Sequence, residues 1–341
     1  MNVRLKKLSD QVMVITGASS GIGLVTARLA AKRGARLVLN ARNEDALERV
    51  VEEINDAGGE AIYVAGDVGN FADVHKIGDE AIRRFGGFDT WVNNAGVSIY
   101  GKLLAIPVQD MRQLFETNFW GMVYGSLVAA SNMKSRGGAI INIGSTLSDR
   151  AIPLQGIYCA SKHAAKGFTD ALRMELETDG FPISVTLIKP SAIDTPYKDH
   201  AKNYLGIQPE NPPPVYAPDT VAEAILHSAE NPVRDLFVGG AGKALSTMGE
   251  YAPRLTDRIM EATMVGQTAN GGEADSDRSL ESLYEPNDSR LSERGNYNGH
   301  VAESSLYTKA SMHPVLTGTA LALGAASIAY TLYAKRNSRE H

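Results

Sequence analysis

A single cysteine, Cys159, leaves no intrachain disulfide possible. The N-terminal stretch carries basic residues but runs into a strand-like segment, without the apolar core and small-residue cleavage site of a signal peptide. Both absences point to a body kept in a reducing, cytoplasmic compartment. Charge of one sign is lacking too: 34 Lys and Arg face 39 Asp and Glu, interspersed along most of the chain, so no basic stripe exists for nucleic acid. No His, Cys, Asp and Glu cluster has the spacing of metal ligands, and no metal is expected. Aromatics make up only 7%, and both tryptophans, Trp91 and Trp120, are expected in the core or at an interface.

What the chain has is alternation. Short β-branched runs alternate with longer amphipathic stretches: Val12–Thr16, Arg36–Asn40, Ala61–Val64, Thr90–Asn93, Ala139–Ile143, Ser184–Ile188 and Asp235–Val238. These runs are almost continuously apolar, which suits parallel strands covered on both faces. Between them apolar residues fall three and four apart, as in Ala46–Ile54, the period of a helix with one buried face. Repeated β-α-β units connect right-handedly. The expected fold is therefore α/β, a doubly wound, Rossmann-like parallel sheet of about seven strands over residues 1–240.

Beyond it, one amphipathic helix is expected over 241–265, with Leu245, Met248, Tyr251, Leu255, Ile259 and Met260 on one side. Residues 266–313 are polar and aperiodic and read as a poorly ordered linker. Val315–Ala334 carries no charge and is flanked by Lys335 and Arg336, a length that matches the hydrocarbon thickness of a bilayer. A transmembrane helix over 314–336 is the expectation. The alternative is an Ala-rich helix that packs on the body or pairs with another subunit.

The first strand opens onto Thr16-Gly17-Ala18-Ser19-Ser20-Gly21-Ile22-Gly23 and then a helix. Such a turn brings backbone N–H groups and the positive helix end to a pyrophosphate. Gly17 allows the tight turn, Gly21 the close backbone approach and Gly23 the packing of helix on strand, with Ser19, Ser20 and Ile22 completing the cradle. The second strand ends in Ala41 and Arg42, where an acid would hydrogen-bond a ribose 2′-hydroxyl. With the acid missing and a guanidinium next, a 2′-phosphate is favoured, hence NADP(H) over NAD(H). The competing reading pairs Arg42 with Glu44 or Asp45 on the surface.

Tyr158 and Lys162 stand four apart in a helical pattern, so phenol and ammonium share a face. A tyrosine with its usual pKa of about 10 is a poor acid–base catalyst at neutral pH, and a positive charge beside it favours the phenolate. Ser145, at the end of the strand Ile140–Ile143, can donate to a substrate oxygen at Tyr158. Cys159 and His163 turn about 100° away from their catalytic neighbours and read as packed or surface residues.

In this order and spacing, these segments resemble the short-chain dehydrogenase/reductase family over about residues 8–240. The Gly-x-x-x-Gly-x-Gly turn is similar to the family's, and Asn93-Asn94-Ala95-Gly96 looks like its motif after the fourth strand. The resemblance implies that Asn94, Ala95 and Gly96 touch the adenosine part of the cofactor and that Asp67, beside Val68, lies against the adenine. Taken alone, Asp67 reads equally as a helix cap or a solvated loop acid. A tetrad of Asn118, Ser145, Tyr158 and Lys162 is implied, with Lys162 on the nicotinamide ribose and Asn118 holding a water of the proton relay. After the sixth strand the family often has Pro-Gly and then a threonine. Pro190 and Thr195 fit, Ile193 can offer its backbone to the carboxamide, and Ser191 replaces the glycine.

The implied activity is hydride transfer between a nicotinamide cofactor and a carbonyl/alcohol pair. Loops 97–104, 146–155 and 196–216 would contribute Val97, Tyr100, Leu147, Ile152, Pro153, Leu154 and Tyr197, which favours a small apolar substrate. The run Asn211–Tyr216 would stiffen one wall. The family also implies homodimers or homotetramers built on helices starting near Asn118 and Tyr158. Two other readings stay open: a membrane-tethered NADP(H)-binding sensor or scaffold without turnover, and a dehydratase or epimerase using the same tyrosine and lysine.

Overall fold

The computed structural model describes residues 3–269, 281–286, 291–315 and 317–319. Seven parallel strands form the central sheet: β1 (Val12–Thr16), β2 (Arg36–Ala41), β3 (Glu60–Ala65), β4 (Thr90–Asn93), β5 (Gly138–Ile143), β6 (Ile183–Pro190) and β7 (Asp235–Val238), in the order β7-β6-β5-β4-β1-β2-β3. Each expected run lies in one of these strands. Side chains alternate across the sheet: Met13, Ile15, Leu37 and Leu39 go to one face, Val12, Val14 and Val38 to the other. The first face is covered by α1 (Gly21–Lys32), α2 (Glu44–Asp56) and α7 (Pro218–Glu230). The second is covered by α3 (Phe71–Phe85), α5 (Gly121–Met133) and α6 (Gly156–Thr178). Burial on both faces is why the strands read as apolar runs and not as polar–apolar alternation.

β1 lies between β2 and β4, so the strand order reverses there. In such sheets a crevice opens at the carboxyl ends of the two strands flanking the reversal. The glycine-rich turn after β1, Asn94 after β4 and Ser145 after β5 all lie at those carboxyl ends. The helix α4 (Val108–Phe115) passes into α5 through a single π turn, Glu116–Trp120, which carries Asn118.

The C-terminal third departs from expectation. The single helix expected over 241–265 is two, α8 (Gly240–Tyr251) and α9 (Pro253–Ala269). Pro253 has no N–H to continue the first helix, so the chain breaks at Ala252 and starts again. Of the segment 266–313, expected as a poorly ordered linker, residues 266–269 extend α9, and parts of 281–286, 291–295 and 301–312 are held on the body. Val301–Ala302 pairs in parallel with Val215–Tyr216, which in turn pairs with Ala192–Ile193. The short helix α10 (Leu306–Met312) docks on β7, where Thr308 Oγ1 accepts from Gly239 N at 3.0 Å and donates to the Phe237 carbonyl at 3.3 Å. Scattered hydrogen bonds of this kind leave no periodic trace in a polar sequence. The span expected over 314–336 lies almost wholly outside the described residues; among the described residues no helix is long and apolar enough to cross a membrane.

Candidate active site

At the end of β1 the chain turns where only glycine fits. Gly17 has φ of 64°, and a Cβ there would lie 2.8 Å from Ala95 Cα; at Gly23 a Cβ would meet the Gly17 carbonyl oxygen at 2.1 Å. Asn94 braces the turn, donating from Nδ2 to the carbonyls of Thr16 (2.9 Å) and Gly17 (3.1 Å). Thr16 Oγ1 in turn accepts from the N–H groups of Asn94 and Ala95 at 3.0 and 3.1 Å. Asn93 points the other way, into the sheet, where Nδ2 donates to Asn142 Oδ1 at 2.8 Å and Oδ1 accepts from Trp91 Nε1 at 2.8 Å. The two asparagines thus tie the turn to the central strands.

Gly17, Ser19, Ser20, Gly21 and Ile22 line a cavity of about 190 Å³ together with Arg42, Asp67, Val68, Asn94, Ala95, Gly96 and Thr195. Gly23 lies just behind, packing α1 on the turn. Asp67 Oδ1 accepts from Gly69 N at 2.9 Å, and the cap of α3 is Asn70, not Asp67. The cavity suits part of a dinucleotide: the glycine-rich turn and the start of α1 line it, a Cβ on Gly17 would clash with Ala95, and the buried Asn40 Oδ1 on its wall has no hydrogen-bond partner among the described residues. Arg42 is placed unexpectedly. Its guanidinium donates to the carbonyls of Ser282, Tyr284 (2.9 Å) and Glu285 (3.4 Å), from a stretch that sequence reasoning had assigned to the linker.

The four residues of the implied tetrad come from four places: the π turn, the end of β5, and two successive turns of α6. Tyr158 is buried, and burial raises its phenol to about 12 although the hydroxyls of Tyr197 and Ser145 beside it pull the other way. Lys162 is buried too, and burial lowers its ammonium to about 8. Lys162 Nζ donates to the Ile143 carbonyl at 2.8 Å and lies 5.7 Å from the centre of the Tyr158 ring. Ser145 caps a short 3-10 turn, its Oγ accepting from Leu147 N at 3.0 Å. Asn118 is committed to the loop after β4: Oδ1 accepts from Val97 N at 2.8 Å and Nδ2 donates to the Val97 carbonyl at 2.9 Å. Cys159 is packed away, with burial raising its thiol to about 11, and His163 Nδ1 bonds the Cys159 carbonyl at 2.8 Å.

Ser191, where the resemblance led us to expect glycine, costs the backbone nothing, because it does not adopt a left-handed conformation. Its N–H and Oγ both donate to the Val238 carbonyl at 2.9 Å. Pro190 and Ile193 face a second, larger cavity of about 550 Å³ that also holds Ser145, Tyr158 and Lys162. Tyr100, Leu147, Ile152, Pro153, Leu154 and Tyr197 line it as expected, whereas Val97 faces the first cavity. Leu245 of α8 and Met260 of α9 complete the apolar wall, and sequence reasoning had not placed them there. His200 was also missed: it lines the first cavity, and burial lowers its imidazole to about 4. The Tyr197 hydroxyl is buried beside the Tyr158 ring (centroids 5.6 Å apart) and has no hydrogen-bond partner among the described residues.

This geometry, a glycine-rich cradle beside a cavity that holds a tyrosine–lysine pair, matches the outcome of the comparisons. A short chain dehydrogenase family model matches residues 11–204. The chain belongs to the short-chain dehydrogenase family and is an oxidoreductase of the CH–OH/C=O class. Among its relatives, an uncharacterised oxidoreductase of Bacillus subtilis (strain 168), YxnA, is 46% identical over 323 residues, covering 94% of this chain and 90% of that protein. The 11-beta-hydroxysteroid dehydrogenase-like 3 of Arabidopsis thaliana is 39% identical over 198 residues, 57% of this chain and 62% of that protein. The crystal structure of an alcohol dehydrogenase from Thermococcus sibiricus, complexed with 5-hydroxy-NADP, aligns with a TM-score of 0.60 at 28% identity, covering 67% of this chain and 95% of that one.

Proposed function

We propose that the protein is an NADP(H)-dependent reductase of small apolar carbonyl compounds, able to oxidise the corresponding alcohols at the same site. The observation that carries this reading is the position of Tyr158, with Ser145 and Lys162, in a largely apolar cavity of about 550 Å³ that abuts the dinucleotide cradle. That volume suits a drug-sized apolar molecule. When bound, the nicotinamide coenzyme supplies the hydride for the carbonyl carbon or takes it back. Tyr158, a protonated phenol at neutral pH, gives its proton to the carbonyl oxygen. Ser145 donates to the same oxygen and orients it. Lys162, charged below about pH 8, favours the phenolate left behind. Asn118 fixes the Val97 backbone at the mouth of the cradle and joins Lys162 in the route to solvent.

NADP(H) is favoured by Ala41 at the end of β2, where no acid meets the 2′ position, and by Arg42 on the same wall. The substrate class is supported by the relatives named as hydroxysteroid dehydrogenases. Self-association is supported by an apolar outer face: Trp120 stacks on Tyr124, which meets Phe71, with Leu127 exposed on α5 and Met174 on α6. For Val315–Ala334 we propose a membrane anchor, on its length and its flanking Lys335 and Arg336.

The test is NADPH and NADH oxidation by the full chain against a panel of apolar aldehydes and ketones, with Tyr158→Phe as control. NADPH-dependent turnover is expected, falling by about 10²–10⁴-fold in Tyr158→Phe while NADPH still binds. Wild-type turnover in that variant would overturn the assigned role. Tight NADPH binding with no turnover on any substrate would favour the tethered sensor or scaffold instead.

A further inference from the structure

Two stretches from beyond residue 280 lie across the dinucleotide cradle. The first, residues 281–286, is pinned on the substrate side. Leu283 is fully buried in the apolar cluster that contains Ile99, Leu114 and Tyr158. Tyr284 Oη donates to Asp110 at 2.6 Å, and Lys202 bridges Asp110 (3.2 Å) and Glu281 (3.1 Å). Ser282 donates from both N and Oγ to the His200 carbonyl, at 3.0 and 3.1 Å. The second stretch crosses the glycine-rich turn: the Ser292 carbonyl accepts from Gly21 N at 2.9 Å, and Glu293 pairs with Arg28 at 2.7 Å.

The chemistry of these contacts is specific to the cradle. Ser282 and Pro286 line the same cavity as Gly17, Arg42 and Asp67. Arg42 spends up to three of its N–H donors on carbonyls of residues 282, 284 and 285, which fixes its planar fork at the cavity wall. A fork held this way is pre-organised, so its remaining donors lose little freedom on meeting a phosphate. Leu283 and Tyr284 join the cover to the substrate-side elements, and Asp110, which also accepts from Tyr204, is the shared anchor.

We infer that residues 281–286 and 291–293 form a strap that completes the coenzyme site, holding Arg42 for the 2′-phosphate and retaining the dinucleotide beneath it. The inference rests on the coenzyme reading proposed above. A dinucleotide under such a strap leaves only when the strap yields, so loosening the strap acts on the dissociation rate.

The experiment is NADPH binding to the full chain, by coenzyme fluorescence for Kd and by stopped-flow displacement for the off-rate, in wild type, Leu283→Asp and Tyr284→Phe. Hydrogen exchange of residues 281–286 and 291–293 is followed in wild type with and without NADPH. We expect the off-rate to rise by about tenfold or more in Leu283→Asp and by about threefold in Tyr284→Phe. The strap amides of wild type should gain protection when NADPH binds. Unchanged off-rates in the folded Tyr284→Phe protein, tighter binding in either variant, or strap amides indifferent to NADPH would each overturn the strap. A wild-type chain that binds neither NADPH nor NADH would instead overturn the coenzyme reading on which it stands.

Discussion

Burial acts on Tyr158 and Lys162 in opposite directions, and both shifts favour the neutral forms: the phenol rises to about 12 and the ammonium falls to about 8. In the reductive direction Tyr158 must end as phenolate, and a charged Lys162 stabilises that product. This help is fully present below the lysine's pKa and is lost as pH rises through about 8. Reductive kcat at saturating coenzyme should therefore be level through neutral pH and fall above about pH 8, as a pH–rate profile would show. A reductive kcat that climbs between pH 8 and 9 would contradict the assignment. The pair was legible in the sequence because a spacing of four has only one geometric meaning on a helix. Asn118 was legible only as a family position: that its side chain grips both polar groups of the Val97 backbone depends on the π turn, which apolar periodicity does not reveal. For Arg42 the sequence indicated a guanidinium at the coenzyme wall, but not the carbonyls that hold it, which lie about 240 residues away along the chain.

Among the elements, the strands were the easiest to read. Runs such as Ala139–Ile143 are buried on both faces and bounded by helical patterns, so length and β-branching were enough. The region after residue 240 was misread for a physical reason. Apolar positions continue at helical spacing through Pro253, but the missing N–H divides α8 from α9, and the bend turns Leu245 and Met260 toward the substrate cavity. Helices α3, α5 and α6 show the complementary pattern, an apolar face that nothing covers among the described residues. Trp120 and Phe71 are 42% and 47% exposed, unusual for side chains of that size, and Leu127 and Met174 add to the face. If this face joins subunits, the purified chain runs as a dimer or tetramer by light scattering, and Leu127→Glu with Met174→Glu reduces it to monomer without loss of helical signal. A double variant with the wild-type mass would place the interface elsewhere.

For the molecule as a whole, the family match ends at residue 204, yet the cover of the coenzyme cradle comes from beyond residue 280. A polar average hides this, because the strap is held by one buried leucine, one buried aspartate, two ion pairs and hydrogen bonds to its backbone, none of which repeats along the chain. The same arrangement separates the strap from the membrane anchor proposed for the C-terminus. The strap is complete by Ser292 and Glu293, and α10 ends at Met312, so removing the uncharged run that begins at Val315 leaves the strap whole and takes from α10 the bond of Thr317 to the Ala310 carbonyl. Apolar burial in lipid scales with the number of buried groups, and twenty uncharged residues are enough to hold a protein to a bilayer. Deleting residues 314–341 should move the protein from the membrane pellet to the supernatant in a detergent-free fractionation, while Kd for NADPH stays at the full-length value. Deleting residues 281–341 should release the protein and weaken NADPH as well, because it removes the strap along with the tail. A full-length chain that stays in the supernatant and loses oligomeric mass on deletion of 314–341 would turn the tail into a subunit-pairing helix, with the strap argument unaffected.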